Sequence, residues 1–110
     1  MPEVQSADVV VIPSRECPDP GQLISTTLAG RTIVVANVDG DYCALDGNCT
    51  HEECPLVNGW IDGHNVVCEC HGGTFDVRDG EPVDGPVFVP LNVYRVTSDG
   101  DDITVHVAPT

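Results

Sequence analysis

The strongest constraint on this chain is its rhythm of short β-branched runs broken by turn dipeptides. Val9-Val10-Val11-Ile12, Thr32-Ile33-Val34-Val35, Val66-Val67, Asn92-Val93-Tyr94-Arg95-Val96 and Ile103-Thr104-Val105-His106-Val107 each have strand length and strand composition. Between them fall Asp39-Gly40, Asp46-Gly47, Asp62-Gly63, Asp79-Gly80 and Asp99-Gly100. Asp-Gly supplies the positive φ angles that tight hairpins need. No apolar stripe of helical period and useful length competes with this pattern. The expectation is an all-β sandwich or small barrel of antiparallel sheets. Its segment from about Tyr42 to Phe75 reads as two loop-bearing hairpins inserted into the β framework.

At 110 residues the chain fits one domain, residues 1–110, with a core of its own. Glu81 to Pro90 is proline-spaced and reads as a stiff loop ahead of the Asn92–Val96 run. No apolar stretch approaches the ~20 residues of a membrane span, so no membrane association is expected. Met1 to Ser6 has neither basic residues nor an apolar core, which argues against a secretory signal and for the cytoplasm.

Charge narrows the partners. Four arginines (Arg15, Arg31, Arg78, Arg95) face 18 acidic residues, a formal net charge of −14. Nucleic acid binding needs a basic footprint that is absent. A basic protein surface fits better, because complementary fields steer encounter.

The chemistry concentrates in Cys49-Thr50-His51 and Cys68-Glu69-Cys70-His71, a C-x-H and a C-x-x-H with sixteen residues between them. Two cysteines and two histidines can hold one tetrahedral zinc, or a 2Fe–2S cluster with two histidines on one iron. Spacing favours the cluster. Zinc fingers usually pair Cys with Cys and His with His, whereas each loop here delivers one of each. The cofactor and metal ligands expected are therefore Cys49, His51, Cys68 and His71, one cluster per chain. Gly72-Gly73 would let backbone N–H groups approach the bridging sulfides.

At these residues the chain resembles the Rieske family. Asn48-Cys49-Thr50-His51, Gly59-Trp60-Ile61-Asp62-Gly63 and Cys68-Glu69-Cys70-His71-Gly72-Gly73-Thr74-Phe75-Asp76 are similar to its two cluster loops and the hairpin between them. Asp39 to Leu45 resembles its lead-in strand, and Pro86 to Pro90 its third, proline-bearing loop. The resemblance implies a Rieske-like sandwich whose cluster-binding subdomain, about residues 43–76, is formed by two hairpin loops. A stand-alone chain of this length is most similar to the ferredoxins of bacterial aromatic-ring hydroxylating dioxygenase systems, which serve aromatic hydrocarbon catabolism. That implies a monomeric electron carrier between an NAD(P)H-dependent flavoprotein reductase and a terminal oxygenase, not itself an enzyme. The alternatives are a small Rieske subunit of a larger oxidoreductase and a zinc-stapled binding module.

The resemblance also reaches the respiratory and photosynthetic Rieske subunits, where two extra cysteines join the loops. It implies a disulfide between Cys54 and Cys70. Those subunits carry Ser and Tyr where this chain has Gly73 and Phe75, so the hydroxyl donors to the cluster are missing. A potential in the lower part of the Rieske range, about −150 to +300 mV, is expected.

Other candidates read as structural. Cys17 and Cys43 are expected to be ordinary residues, Cys43 as a small hydrophobe in an alternating strand. His64 fits a solvated turn and His106 a strand position. Trp60 and Phe75 are expected in the core, and Leu56, Val57 and Val87 on an exposed apolar rim near the cluster. No hydrolytic triad and no phosphate-cradling loop is present in the sequence.

Overall fold

Asp39 and Gly40 are both in the left-handed region, φ 54° and 96°, and close a two-residue hairpin between β3 (Arg31–Val38) and β4 (Asp41–Asp46). Successive positive φ angles match the right-handed twist of the flanking strands, which is why this dipeptide favours a hairpin. The hairpin registers Val38 against Asp41 and continues to Ile33 against Asp46. In the hairpins that join Trp60–Asp62 to Asn65–Val67 and Val93–Asp99 to Asp102–His106 the Asp ends the strand, and the positive φ falls on Gly63 or Gly100.

The computed structural model describes residues 9–28, 30–48, 54–69, 73–84 and 89–106. In chain order the remaining strands are β1 (Val9–Ile12), β2 (Leu23–Leu28), β5 (Trp60–Asp62), β6 (Asn65–Val67), β7 (Thr74–Asp76), β8 (Pro82–Asp84), β9 (Val93–Asp99) and β10 (Asp102–His106). Two single 3₁₀ turns occur, at Ser14–Glu16 and Leu56–Asn58, and no α-helix among the described residues. A six-stranded antiparallel sheet has the order β1-β10-β9-β4-β3-β2, and a four-stranded one the order β5-β6-β7-β8. The expected all-β antiparallel sandwich is thus the architecture found. Strand β2 is a run that the β-branched pattern had not singled out, although Ile24, Thr26 and Thr27 carried the signal.

β3 explains how the layers are joined. Ile33 to Val38 are all buried, because alternate side chains serve two cores. Val34, Ala36 and Val38 meet Leu45, Leu56, Val66, Cys68, Phe75, Val77 and Leu91 between the two sheets. Ile33 and Val35 meet Val10, Ile12, Ala44, Ile103 and Val105 inside the curl of the larger sheet. Strands of three residues have little independent stability, so β5 to β8 depend on burying Val66 and Phe75 in the first core.

The smaller sheet is inserted between two strands that are themselves neighbours. β4 and β9 pair through Ala44 with Tyr94 and Leu45 with Val93, and residues 47–92 leave and return at that junction. No helix among the described residues is long and apolar enough to cross a membrane.

Candidate metal centre

Three connections of the insertion are closed at their described bases by backbone hydrogen bonds. The first is closed where Gly47 N–H donates to Thr32 O (2.9 Å), Leu56 N–H donates to Gly47 O (2.8 Å), and Asn48 bridges Pro55. The second is closed by Cys68 N–H donating to Gly73 O (2.7 Å), one step beyond the Val67–Thr74 pair of β6 and β7. At the third, Leu91 N–H donates to Gly80 O (2.8 Å). Gly59 permits the close layering under these loops, since a Cβ there would overlap the Val67 carbonyl oxygen.

Of the four expected ligands, Cys68 is described. It is 1% exposed, forms no disulfide, and belongs to the core shared by the two sheets. Cys49, His51 and His71 lie outside the described residues, as do Cys70, Val87 and the Gly72 beside the second loop. Cys54 is disulfide-bonded and packs against the same core as Cys68. Among the described residues no three His, Cys, Asp or Glu gather into a metal-holding group.

The remaining cysteines behave as packing. Burial first, then neighbouring carboxylates, push the thiols of Cys17 and Cys43 above the ordinary range, so both stay protonated and poor as nucleophiles or ligands. The Cys17 Sγ points at the carbonyls of Pro13 (3.5 Å) and Ile12 (3.7 Å). His64 is exposed in its turn, and His106 shares a 2.8 Å hydrogen bond with the Thr97 hydroxyl.

Two apolar expectations are reversed. Trp60 is 53% exposed rather than core, because β5 alternates and its inward position goes to Ile61. Leu56 is fully buried rather than at a rim, since its bond to Gly47 folds the 3₁₀ turn down onto the core. Val57 is half-buried against that core, and Phe75 is buried as expected.

A cluster of polar residues at the neck of the insertion went unread in the sequence. Asp46 N–H donates to Asn92 O (3.0 Å), and Asn92 N–H donates back to Asp46 Oδ2 (2.9 Å). The Tyr94 hydroxyl donates to Asp46 Oδ1 (2.5 Å) and accepts from Arg31 (3.2 Å). The available signal was position: Asp46 stands just before the Gly47-Asn48-Cys49 loop.

A family model for the Rieske [2Fe-2S] domain matches residues 7–95. The chain belongs to the Rieske family. The biphenyl dioxygenase ferredoxin subunit of Pseudomonas sp. (strain KKS102) is 36% identical over 87 residues, 78% of this chain and 80% of that protein. Carotenoid phi-ring synthase of Chlorobaculum tepidum is 36% identical over 100 residues, which are 91% of this chain and 15% of that protein. Among solved structures, a chain in the complex of reduced oxygenase and oxidized ferredoxin in carbazole 1,9a-dioxygenase superposes with a TM-score of 0.88. Its identity is 26%, with 96% of this chain and 98% of that chain covered.

The described part of the centre fits a Rieske 2Fe–2S cluster. A buried cysteine outside any disulfide stands at the mouth of a loop closed by its own backbone. Thiolate is the ligand such a cluster takes from a protein at its enclosed iron. The apolar side chains under Cys68 keep water from that side.

Proposed function

We propose that this Rieske protein is the ferredoxin of an aromatic-ring hydroxylating dioxygenase system. It carries single electrons from an NAD(P)H-dependent flavoprotein reductase to a terminal oxygenase, and works as a monomer in the cytoplasm. The observation that carries this reading is the family match joined to length: the chain spans four fifths of a dioxygenase ferredoxin subunit at 36% identity.

Cys49 and Cys68 are proposed to bind one iron through thiolate, and His51 and His71 the other through imidazole. When bound, the cluster supplies a one-electron couple. The chain's own residues hold the second loop at its base and seal the Cys68 side from solvent. Cys54 is proposed to pair with Cys70. Cys54 is in a disulfide while Cys17, Cys43 and Cys68 are not, which leaves Cys49 or Cys70 as its partner, and Cys49 is proposed as a ligand. The midpoint potential is proposed to lie low in the family's span of about −150 to +300 mV, given Gly73 and Phe75 at the two hydroxyl positions.

Electron paramagnetic resonance of the dithionite-reduced protein, with iron and acid-labile sulfide analysis, tests the ligand set. Two irons and two sulfides per chain are expected, and His71→Ala loses the mixed-ligand signal while His64→Ala keeps it. One zinc per chain, or a four-cysteine ferredoxin signal, refutes it. A second reading rests on the synthase match, in which the same domain is part of a longer enzyme. Under that reading the native protein co-purifies in stoichiometric complex with a larger subunit; as a free carrier it does not.

A further inference from the structure

Trp60 is the chain's single tryptophan, and the structure leaves it 53% exposed on β5, an edge strand. It forms one wall of a groove of about 150 Å³, together with Gly21, Gln22, Leu23, Val57 and Gly59. Two of those positions are glycines, which add no side chain to the groove. Large exposed aromatics in such a setting are the residues that dominate interface energetics.

Position makes the groove relevant to the cluster. Trp60 pairs across the hairpin with Val67, the residue before Cys68. Adjacent strands and consecutive Cα atoms are spaced so that the Trp60 and Cys68 backbones lie within about 10 Å. A partner seated here lies alongside Cys68.

Charge says what kind of partner. Asp62 is exposed two residues along the same face of β5, and Glu69 is exposed just past Cys68. None of the four arginines is on β5 or β6 or lines the groove, and Arg78, the nearest in sequence, is held by Asp76 at 2.7 Å. An indole beside carboxylates, in a protein of formal charge −14, suits a flat cation. Guanidinium is that group, because it stacks on aromatic faces and forks to carboxylates. A second copy of this chain would bring like charge to the same place.

We propose that the Trp60 groove is a docking site for an arginine-bearing loop of the redox partner, with the guanidinium stacked on the indole and paired to Asp62. This rests on the electron-carrier reading for the partner's identity, but the groove's chemistry can be tested without it. The probe is capped hexa-arginine, titrated calorimetrically at low ionic strength into the cluster-loaded protein. Trp60→Ala is expected to weaken binding about three- to fivefold, the span of a partly exposed cation–π contact. Trp60→Phe recovers part of the loss, and Asp62→Asn weakens binding. Asp101→Asn, which removes the same charge from the β9–β10 turn, outside the groove lining, changes it less than Asp62→Asn does. Equal affinities for wild type and Trp60→Ala would overturn the proposal, as would hexa-lysine binding as tightly as hexa-arginine, or Trp60-dependent dimerisation in sedimentation. Failure of the carrier reading registers separately, in the resonance spectrum and in absent reduction by a reductase.

Discussion

Replacing Tyr94 by Phe removes one oxygen from the neck through which the insertion leaves the larger sheet. The lost hydroxyl donates to Asp46 at 2.5 Å and accepts from Arg31 at 3.2 Å. Burial raises the Tyr94 phenol above its ordinary pKa, and the Asp46 hydrogen bond adds to that, so the ring is a donor throughout the working range. A hydrogen bond to a charged acceptor contributes roughly 1.5–3 kcal/mol when buried. Tyr94 is only half-buried and water can reach the orphaned carboxylate, so about 1–1.5 kcal/mol is the expected loss. At about 2 cal/mol/K of unfolding entropy per residue, that lowers Tm by about 4–6 °C. Asp46→Ala also strips the acceptor from Asn92 N–H and is expected to cost more, about 2–3 kcal/mol. Denaturation followed by circular dichroism measures both, and the double variant tests coupling, which should reach at least 0.5 kcal/mol. Hydrogen exchange should quicken at Asn92, whose amide bonds to Asp46, before it quickens in β10. A Tyr94→Phe loss below about 0.3 kcal/mol, or strict additivity with Asp46→Ala, would refute the reasoning that this triad holds the neck.

Two further outcomes follow from the same geometry. Gly59→Ala should destabilise the hairpin under the first loop and lower the amount of cluster retained after gel filtration, measured as iron per chain, because its methyl meets the Val67 carbonyl. Asp76 carries a pKa lowered to about 2, first by its side-chain hydrogen bond from Arg78. A depressed carboxylate pKa adds stability that is full above the unfolded value near 3.8 and lost as pH falls toward 2. The Tm difference between wild type and Asp76→Asn should therefore be constant near neutrality, shrink below about pH 4 and vanish near pH 2.

Strand-level order was legible because it is written locally. The Val9–Ile12 run is β1 residue for residue, and Asp39-Gly40 forms its hairpin by the left-handed geometry that Gly and Asp tolerate. Cys68 is buried, while the other three residues of the ligand pattern lie outside the described residues. Burial was read less well. Trp60 is hydrophobic enough for a core, but strand period and edge position, not composition, decide which side it faces. Leu56 went the other way because its own backbone N–H donates to a carbonyl nine positions earlier, which folds it inward. The Asp46–Asn92–Tyr94 triad was invisible for a related reason. Its members are up to 48 residues apart, and only the β4–β9 pairing brings them together.

That pairing also explains why an electron carrier can be built on so small a sheet. Strands of three residues cannot hold a loop in place by their own ladder. Here β5, β6 and β7 each contribute an inward side chain to a core whose far wall is β3 and β4 of the larger sheet, so the bases of the loops are anchored from outside the insertion. β3 can serve as that wall because its other face is buried in the second core, against β1 and β10. Disturbance of the second core should therefore reach the loops only through β3 and β4, whereas a change at the neck acts on them directly. This ranks Tyr94→Phe above a comparable loss in β10, such as Val105→Ala, in its effect on cluster retention per kcal/mol of stability removed. Measuring iron per chain against ΔΔG for the two variants decides the point, and equal slopes would mean that the two cores unfold as one unit.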